Sequence, residues 1–242
     1  MARAEIGRGQ PGRQQMDDGS VPVHGSSRLG PPTHPLHEAT AGQVADEVTA
    51  RLRAGVDSWA VLARALGDAD LQRAVSCAGT ALVQALVDGG TLLIAGNGGS
   101  AAIASHIAAE FIGKCVHDRE PLPAINLAES LSSVTAVGND YGFDQVFRRG
   151  VAAHARPGDV LLAMSTSGSS PNVLAALELA RERGVLTVAL TGAHGHAMSG
   201  SADHVLAVPS VQTPRIQEVH LLWAHAWCEA VDHLANPHLA SS

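Results

Sequence analysis

The chain has 242 residues, 45% of them apolar, and a formal net charge of −7. No apolar run approaches the roughly 18 residues of a membrane-spanning helix, and no basic cluster in the globular part offers a surface to a phosphate backbone, so the expectations contain no membrane and no nucleic-acid partner. Cys77, Cys115 and Cys228 show no paired spacing, which predicts free thiols in a reducing compartment, neither disulfides nor metal ligands, and no apolar stretch follows the N-terminal arginines as a secretory signal requires, so the expected location is cytoplasmic.

Residues 1–38 mix Gly, Pro, Arg, Ser and His without apolar periodicity and read as a disordered tail, which leaves 39–238 as one domain. A helical pattern runs from Thr40 through Val44, Val48, Leu52, Trp59 and Leu62. A second carries Leu71, Val75, Ala78, Leu82 and Leu86, and "GDAD" between them is a turn with its own N-cap. After "DGG" come five short apolar runs, "TLLIAG", "LPAINL", "DVLLAMS", "VLTVALTG" and "HVLAVP", each separated from the next by a helical stretch. Apolar strands alternating with helices specify an α/β fold with a five-stranded parallel sheet covered on both faces. A closing helix runs from Pro214, behind Thr213, to about Ala235, with Ile216, Val219, Leu222, Trp223 and Trp227 on apolar stripes.

In such a sheet ligands bind where strands give way to helices at their carboxyl ends. Two loops there have suitable chemistry. In "AGNGGSAA", Gly96, Gly98 and Gly99 let backbone amides approach a ligand, and Ser100 opens a helix with unpaired N–H groups. In "STSGSSPN", Ser165, Thr166, Ser167, Ser169 and Ser170 crowd a strand end just before Pro171 starts a helix. Both suit a phosphate, and without a Walker lysine a phosphomonoester fits better than a nucleoside triphosphate. Either loop alone also fits an ordinary turn with Gly for geometry and Ser for capping. "GNGGSA" further matches a dinucleotide fingerprint with Ala101 in its last position, but the acid expected about 20 positions on is missing, the nearest after "LPAINL" being Glu129.

The helix that leaves the glycine loop carries His106 and Glu110 at i, i+4, one above the other, with Ile103, Ile107 and Phe111 turned toward a core. This pairing suits chelation of a divalent ion, or a general base beside a group that polarises a carbonyl. A solvent-exposed pair supporting the helix is the alternative. On the closing helix Gln217 and His225 are eight residues apart, about 12 Å along the axis, so one copy barely brings both to one ion and a subunit interface would relieve the strain. His220, Glu218 and the remaining histidines read as solvated or capping.

Together "AGNGGSAA…SHIAAEF", "GNDYGFD…F", "DVLLAMSTSGSSPNV" and "PRIQEVHLLWAH" resemble the SIS-domain sugar isomerases, most closely the phosphoheptose isomerases, over roughly residues 45 to 235. The resemblance implies a three-layer, flavodoxin-like sandwich with an N-terminal helical pair, a homotetramer with active sites where subunits meet, and isomerisation of D-sedoheptulose 7-phosphate to D-glycero-D-manno-heptose 7-phosphate. Position by position it implies that Asn97, Gly98, Gly99, Asn139 and Asp140 hold the sugar phosphate and that Ser165, Thr166, Ser167 and Ser170 grip its phosphate. It also implies that His106, Glu110, Gln217 and His225 ligate one zinc ion per subunit, Glu110 and Gln217 also touching substrate, and that Glu110 and His225 are the acid/base pair. Pro214 departs from members with an aspartate directly before "RIQ". Two alternatives stay open: an isomerase of another sugar phosphate, and a non-catalytic relative of the type that binds the replication initiator DnaA. Relatives of that second type lack the acid/base pair that Glu110 and His225 provide here.

Overall fold

The computed structural model describes residues 39–237, so the tail expected over 1–38 lies outside the described residues. Contacts divide the chain between Val48 and Thr49. In the first unit Thr40 and Gln43 cap the start of α1 (Ala41–Ala65) reciprocally: Gln43 N–H donates to Thr40 Oγ1 at 3.2 Å and Thr40 N–H donates to Gln43 Oε1 at 2.9 Å.

The second unit holds the sheet. Asp68 starts α2 (Ala69–Val87), accepting from the amides of Asp70 at 3.1 Å and Leu71 at 2.9 Å, as "GDAD" predicts. There follow β1 (Leu92–Gly96), α3 (Gly99–Ile112), β2 (Ala124–Asn126), α4 (Leu131–Tyr141), α5 (Val146–His154), β3 (Val160–Ser165), α6 (Pro171–Glu182), β4 (Leu186–Thr191), β5 (His204–Ala207) and α7 (Thr213–Ala235). The five strands are parallel in the order β2-β1-β3-β4-β5. "LPAINL" yields only three strand residues because Pro121 and Pro123 have no N–H to donate. The ladder begins where Leu92 N–H reaches the Pro123 carbonyl at 2.9 Å.

Alternate strand residues serve opposite layers. Leu92, Ile94, Val160, Leu162, Met164, Val188 and Leu190 pack with Leu82, Phe111, Trp223 and Trp227 of α2, α3 and α7. Leu93, Ala95, Leu161, Ala163 and Ala189 pack with Phe147, Val151, Val173 and Leu177 of α5 and α6. The result is the expected three-layer sandwich. On α1 the predicted apolar stripe is only partly covered: Leu62 is buried and Trp59 packs on the core, while Leu52 is 68% and Val56 60% exposed. Among the described residues no helix is long and apolar enough to cross a membrane.

The strand order reverses between β1 and β3, and their ends are in register, Gly96 opposite Met164. The glycine loop after β1 and the serine loop after β3 therefore open side by side at the switch point.

Candidate active site

An amide pair ties the two loops together. Asn97 Nδ2 donates to Asn172 Oδ1 and Asn172 Nδ2 returns the bond to Asn97 Oδ1, both at 2.9 Å, across 75 sequence positions. Gly98 caps α3 with φ 53°, a left-handed conformation that favours glycine. Ser100, expected to offer a free amide, instead donates it to the Asn97 carbonyl at 2.9 Å and is itself buried. In the serine loop Ser165 Oγ lies 2.9 Å from Ser170 Oγ and 3.4 Å from Ser167 Oγ, and Ser169 Oγ donates to Ser167 Oγ at 3.0 Å. Ser170 sits at the N-cap of α6 without a side-chain cap bond, so its hydroxyl serves this cluster and not the helix. Ser167 Oγ also accepts from the Ser169 amide at 3.3 Å, and hydroxyls clustered in this way beside a helix start can exchange bonds among themselves for phosphate oxygens.

About three turns along α3 from the glycine loop, Glu110 Oε1 stands 3.0 Å from His106 Nε2 and 3.3 Å from His225 Nε2 of α7, and the two Nε2 atoms are 3.1 Å apart. The imidazoles meet edge to face, with centroids 5.3 Å apart. Three lone-pair-bearing atoms thus converge on one point, an arrangement that a cation or a shared proton stabilises. Tetrahedral zinc with bonds near 2.0–2.1 Å spaces its nitrogen and oxygen ligands by about 3.3 Å, so the donor types and all three edges fit. The side chains are 49%, 18% and 32% exposed for His106, Glu110 and His225, which leaves the site open to a further ligand.

Other predicted residues stand apart from this triad. The Gln217 amide lies at Gly99, where an added Cβ would come within 2.5 Å of its Nε2, so the glycine makes room for it at the first turn of α3. Asn139 and Asp140 are exposed near the end of α4, with Asn139 Nδ2 donating to Asp140 Oδ1 at 2.7 Å. Thr166 is partly buried between the serines. Pro214 occupies the first turn of α7.

Sequence reasoning missed the support behind Glu110. Arg119 and Asp232 form an ion pair at 2.8 Å with 2% and 0% side-chain exposure. Arg119 also donates to the Glu110 and Phe111 carbonyls, both at 2.9 Å, while Asp232 accepts from the amides of Val116 at 2.7 Å and His117 at 2.9 Å. Burial alone would raise the Asp232 pKa, but these amides and the guanidinium hold it below the usual carboxylate range. The signal was present: Asp232 follows Cys228 and Val231 on an apolar stripe of α7, where a carboxylate needs a partner.

Two sequence readings are corrected. His220 is not solvated: it is 0% exposed, its Nε2 lies 3.2 Å from the Thr191 carbonyl, and burial lowers its pKa to about 4. Glu218 is held by the Trp59 indole and by Arg215 Nη2 at 2.7 Å. The cysteines are free, as expected. Yet Cys115 and Cys228 place their sulfurs, with a Glu110 oxygen, within 4.8 Å of one another, a set of potential metal donors that their sequence spacing conceals.

Comparisons with known proteins agree with this architecture. A family model for the SIS domain matches residues 60–192. A phosphoheptose isomerase of Rhodospirillum rubrum is 50% identical over 163 residues, covering 67% of this chain and 87% of the relative. One of Bradyrhizobium sp. is 50% identical over 175 residues, covering 72% and 88%. Among solved structures, the phosphoheptose isomerase of Francisella tularensis superposes with a TM-score of 0.71 at 36% identity, and that of Neisseria gonorrhoeae with 0.69 at 38%, each match covering 78% of this chain and 98% of the other. With its sequence and overall fold in common with these proteins, the chain belongs to the SIS-domain family, among the phosphoheptose isomerases.

Proposed function

We propose that the protein interconverts D-sedoheptulose 7-phosphate and D-glycero-D-manno-heptose 7-phosphate. The observation that carries this reading is the meeting of the Glu110 carboxylate with His106 and His225, at 3.0 and 3.3 Å, in a chain of this family. Ketose-to-aldose conversion moves one proton between neighbouring carbons through an enediol(ate). Glu110 takes a proton from C1 of the ketose and returns it to C2. His225 gives a proton to the C2 oxygen and receives one from the C1 oxygen, so the two groups end as they began. The serine cluster of Ser165, Thr166, Ser167 and Ser170 holds the phosphate, and Asn97, Gly98 and Gly99 line the sugar's path between loop and triad. A zinc ion, one per subunit, would be held by His106, Glu110 and His225, with Gln217 as the fourth ligand after its amide swings from Gly99. When bound it would polarise the substrate carbonyl as a Lewis acid.

We further propose a homotetramer in the cytoplasm with active sites at subunit contacts. Three features support this: Leu52 and Val56 leave apolar surface on α1, Asn139 and Asp140 are exposed on α4, and the triad faces open surface. A large cleft lined by Glu178, Arg181 and Asp203 lies along α6, away from all of these groups, and has no part in this reading.

The test is turnover of sedoheptulose 7-phosphate by the wild type and by Glu110→Gln. The wild type should convert it. The variant, identical in size and in Tm within a degree or so, should lose activity by about 10²–10⁴-fold, the usual contribution of a positioned base. A fully active variant removes Glu110 from the mechanism, and an inert wild type removes the substrate.

A further inference from the structure

Just beyond the triad, α3 ends at Ile112 and the chain turns back through Cys115 toward α7. On α7, Cys228 follows His225 by three positions, so its thiol lies one turn on and faces inward, fully buried, while Cys115 remains partly exposed. The two sulfurs and a Glu110 oxygen are within 4.8 Å of one another although 113 sequence positions separate the cysteines. Zinc–sulfur bonds near 2.3 Å set a tetrahedral sulfur–sulfur edge of about 3.8 Å, so the three donors close on one ion by small side-chain movements. Arg119 Nη2 lies 3.6 Å from Cys228 Sγ, and its guanidinium, fixed by Asp232, supplies the N–H that a metal-bound thiolate accepts.

We propose that Cys115, Cys228 and Glu110 form a second metal site, for a thiophilic divalent ion such as Cd2+ or Zn2+, beside the His106–Glu110–His225 triad and sharing its carboxylate. Two sulfurs and one oxygen select soft ions over Mg2+ and Ca2+. Binding displaces one proton from each thiol to solvent and adds a second cation at the Glu110 carboxylate beside the triad's, which stabilises its charged form further and weakens it as a base toward a sugar. That inhibitory effect rests on the role proposed above for Glu110; the binding does not.

The experiment uses the full chain, reduced and freed of metal with a chelator, titrated with Cd2+ while the ultraviolet thiolate-to-cadmium absorption is recorded. Wild type, His106→Ala and the exposed-thiol control Cys77→Ser should each develop the band to the height of one cysteine-bound ion per chain, an ion at the triad adding nothing to it because that set has no thiolate. Cys115→Ser, partly exposed and so expected to fold, should weaken binding by about 100-fold or more, since outer-shell changes alone cost 10–100-fold. Cys228→Ala, used only if its Tm shows a folded chain, should do the same. A wild type without the band, or a Cys115→Ser protein that keeps it, overturns the proposal. In parallel, Cd2+ should inhibit isomerisation by the wild type and not by Cys115→Ser. Inhibition that fails while the band holds would count against Glu110 as the base and leave the metal site standing.

Discussion

Glu110 is the residue on which both ligand sets converge, and its neighbours were legible to different degrees. His106 was visible in the sequence because an i, i+4 pair is local on a helix. His225 was picked out with Gln217 on the closing helix, but its meeting with Glu110 entered only through resemblance, since no spacing rule joins residues of α3 and α7, and Asn172, Arg119 and the cysteine pair stayed hidden because their partners are likewise distant in sequence. At this scale Gly99 gives the sharpest prediction. It has an ordinary φ, and alanine at the first turn of a helix relieves up to about 1 kcal/mol of glycine's entropic cost. The added methyl would come within 2.5 Å of Gln217 Nε2, but that group is a flexible tip and can move. Gly99→Ala should therefore keep or slightly raise Tm while displacing the Gln217 amide. In the proposed function that amide leaves Gly99 in any case, whereas Gly99 itself lines the sugar's path, so a methyl that displaces the sugar should lower kcat/KM by about 10²-fold, the effect of a misplacement near 1 Å. Unchanged kinetics alongside an unchanged Tm would take Gly99 off the sugar's path.

At the scale of elements, strand count and order of helices followed from composition because each apolar run is short and bounded by turn residues. β2 came out shorter than its run since the two prolines before it, Pro121 and Pro123, have no N–H to give the ladder. The connection of α3 to α7 was not legible, and it matters most, because it fixes the distance between Glu110 and His225. Arg119 makes that connection, bound to Asp232 on α7 and to the Glu110 and Phe111 carbonyls at the end of α3. Arg119→Met leaves Asp232 charged, buried and without its guanidinium, a change that costs about 3–5 kcal/mol. Urea unfolding at pH 7 should show that loss. The pH dependence has a defined sign. The folded pKa of Asp232 is depressed, so its stabilisation is present above the ordinary carboxylate pKa and disappears as pH falls through the lower folded value. The variant should accordingly lie closest to wild type in acid and furthest from it at neutral pH. A gap between the two proteins that is constant with pH would mean that the pair contributes packing alone.

For the whole molecule the first helix is the unresolved face of the chain's own core. Its sequence stripe is apolar, yet Leu52 and Val56, four positions apart, remain 68% and 60% exposed. Solvation of such a pair is unfavourable by about 25 cal/mol per Å2, and a second copy is the partner whose chemistry the proposed tetramer supplies. Changing both to glutamate would place charge on that stripe and disturb no packed neighbour, so the fold of one chain should survive with a Tm close to wild type. Assembly should not: light scattering should report a smaller species. Activity decides the matter. His106, Glu110 and His225 all come from one chain, so a site complete within a subunit would keep working in the dissociated protein. If Asn139 and Asp140 of α4 instead reach substrate held by another copy, kcat/KM should fall with the loss of assembly and recover as concentration drives the subunits back together. A dissociated variant with full activity at every concentration would confine the active site to a single chain.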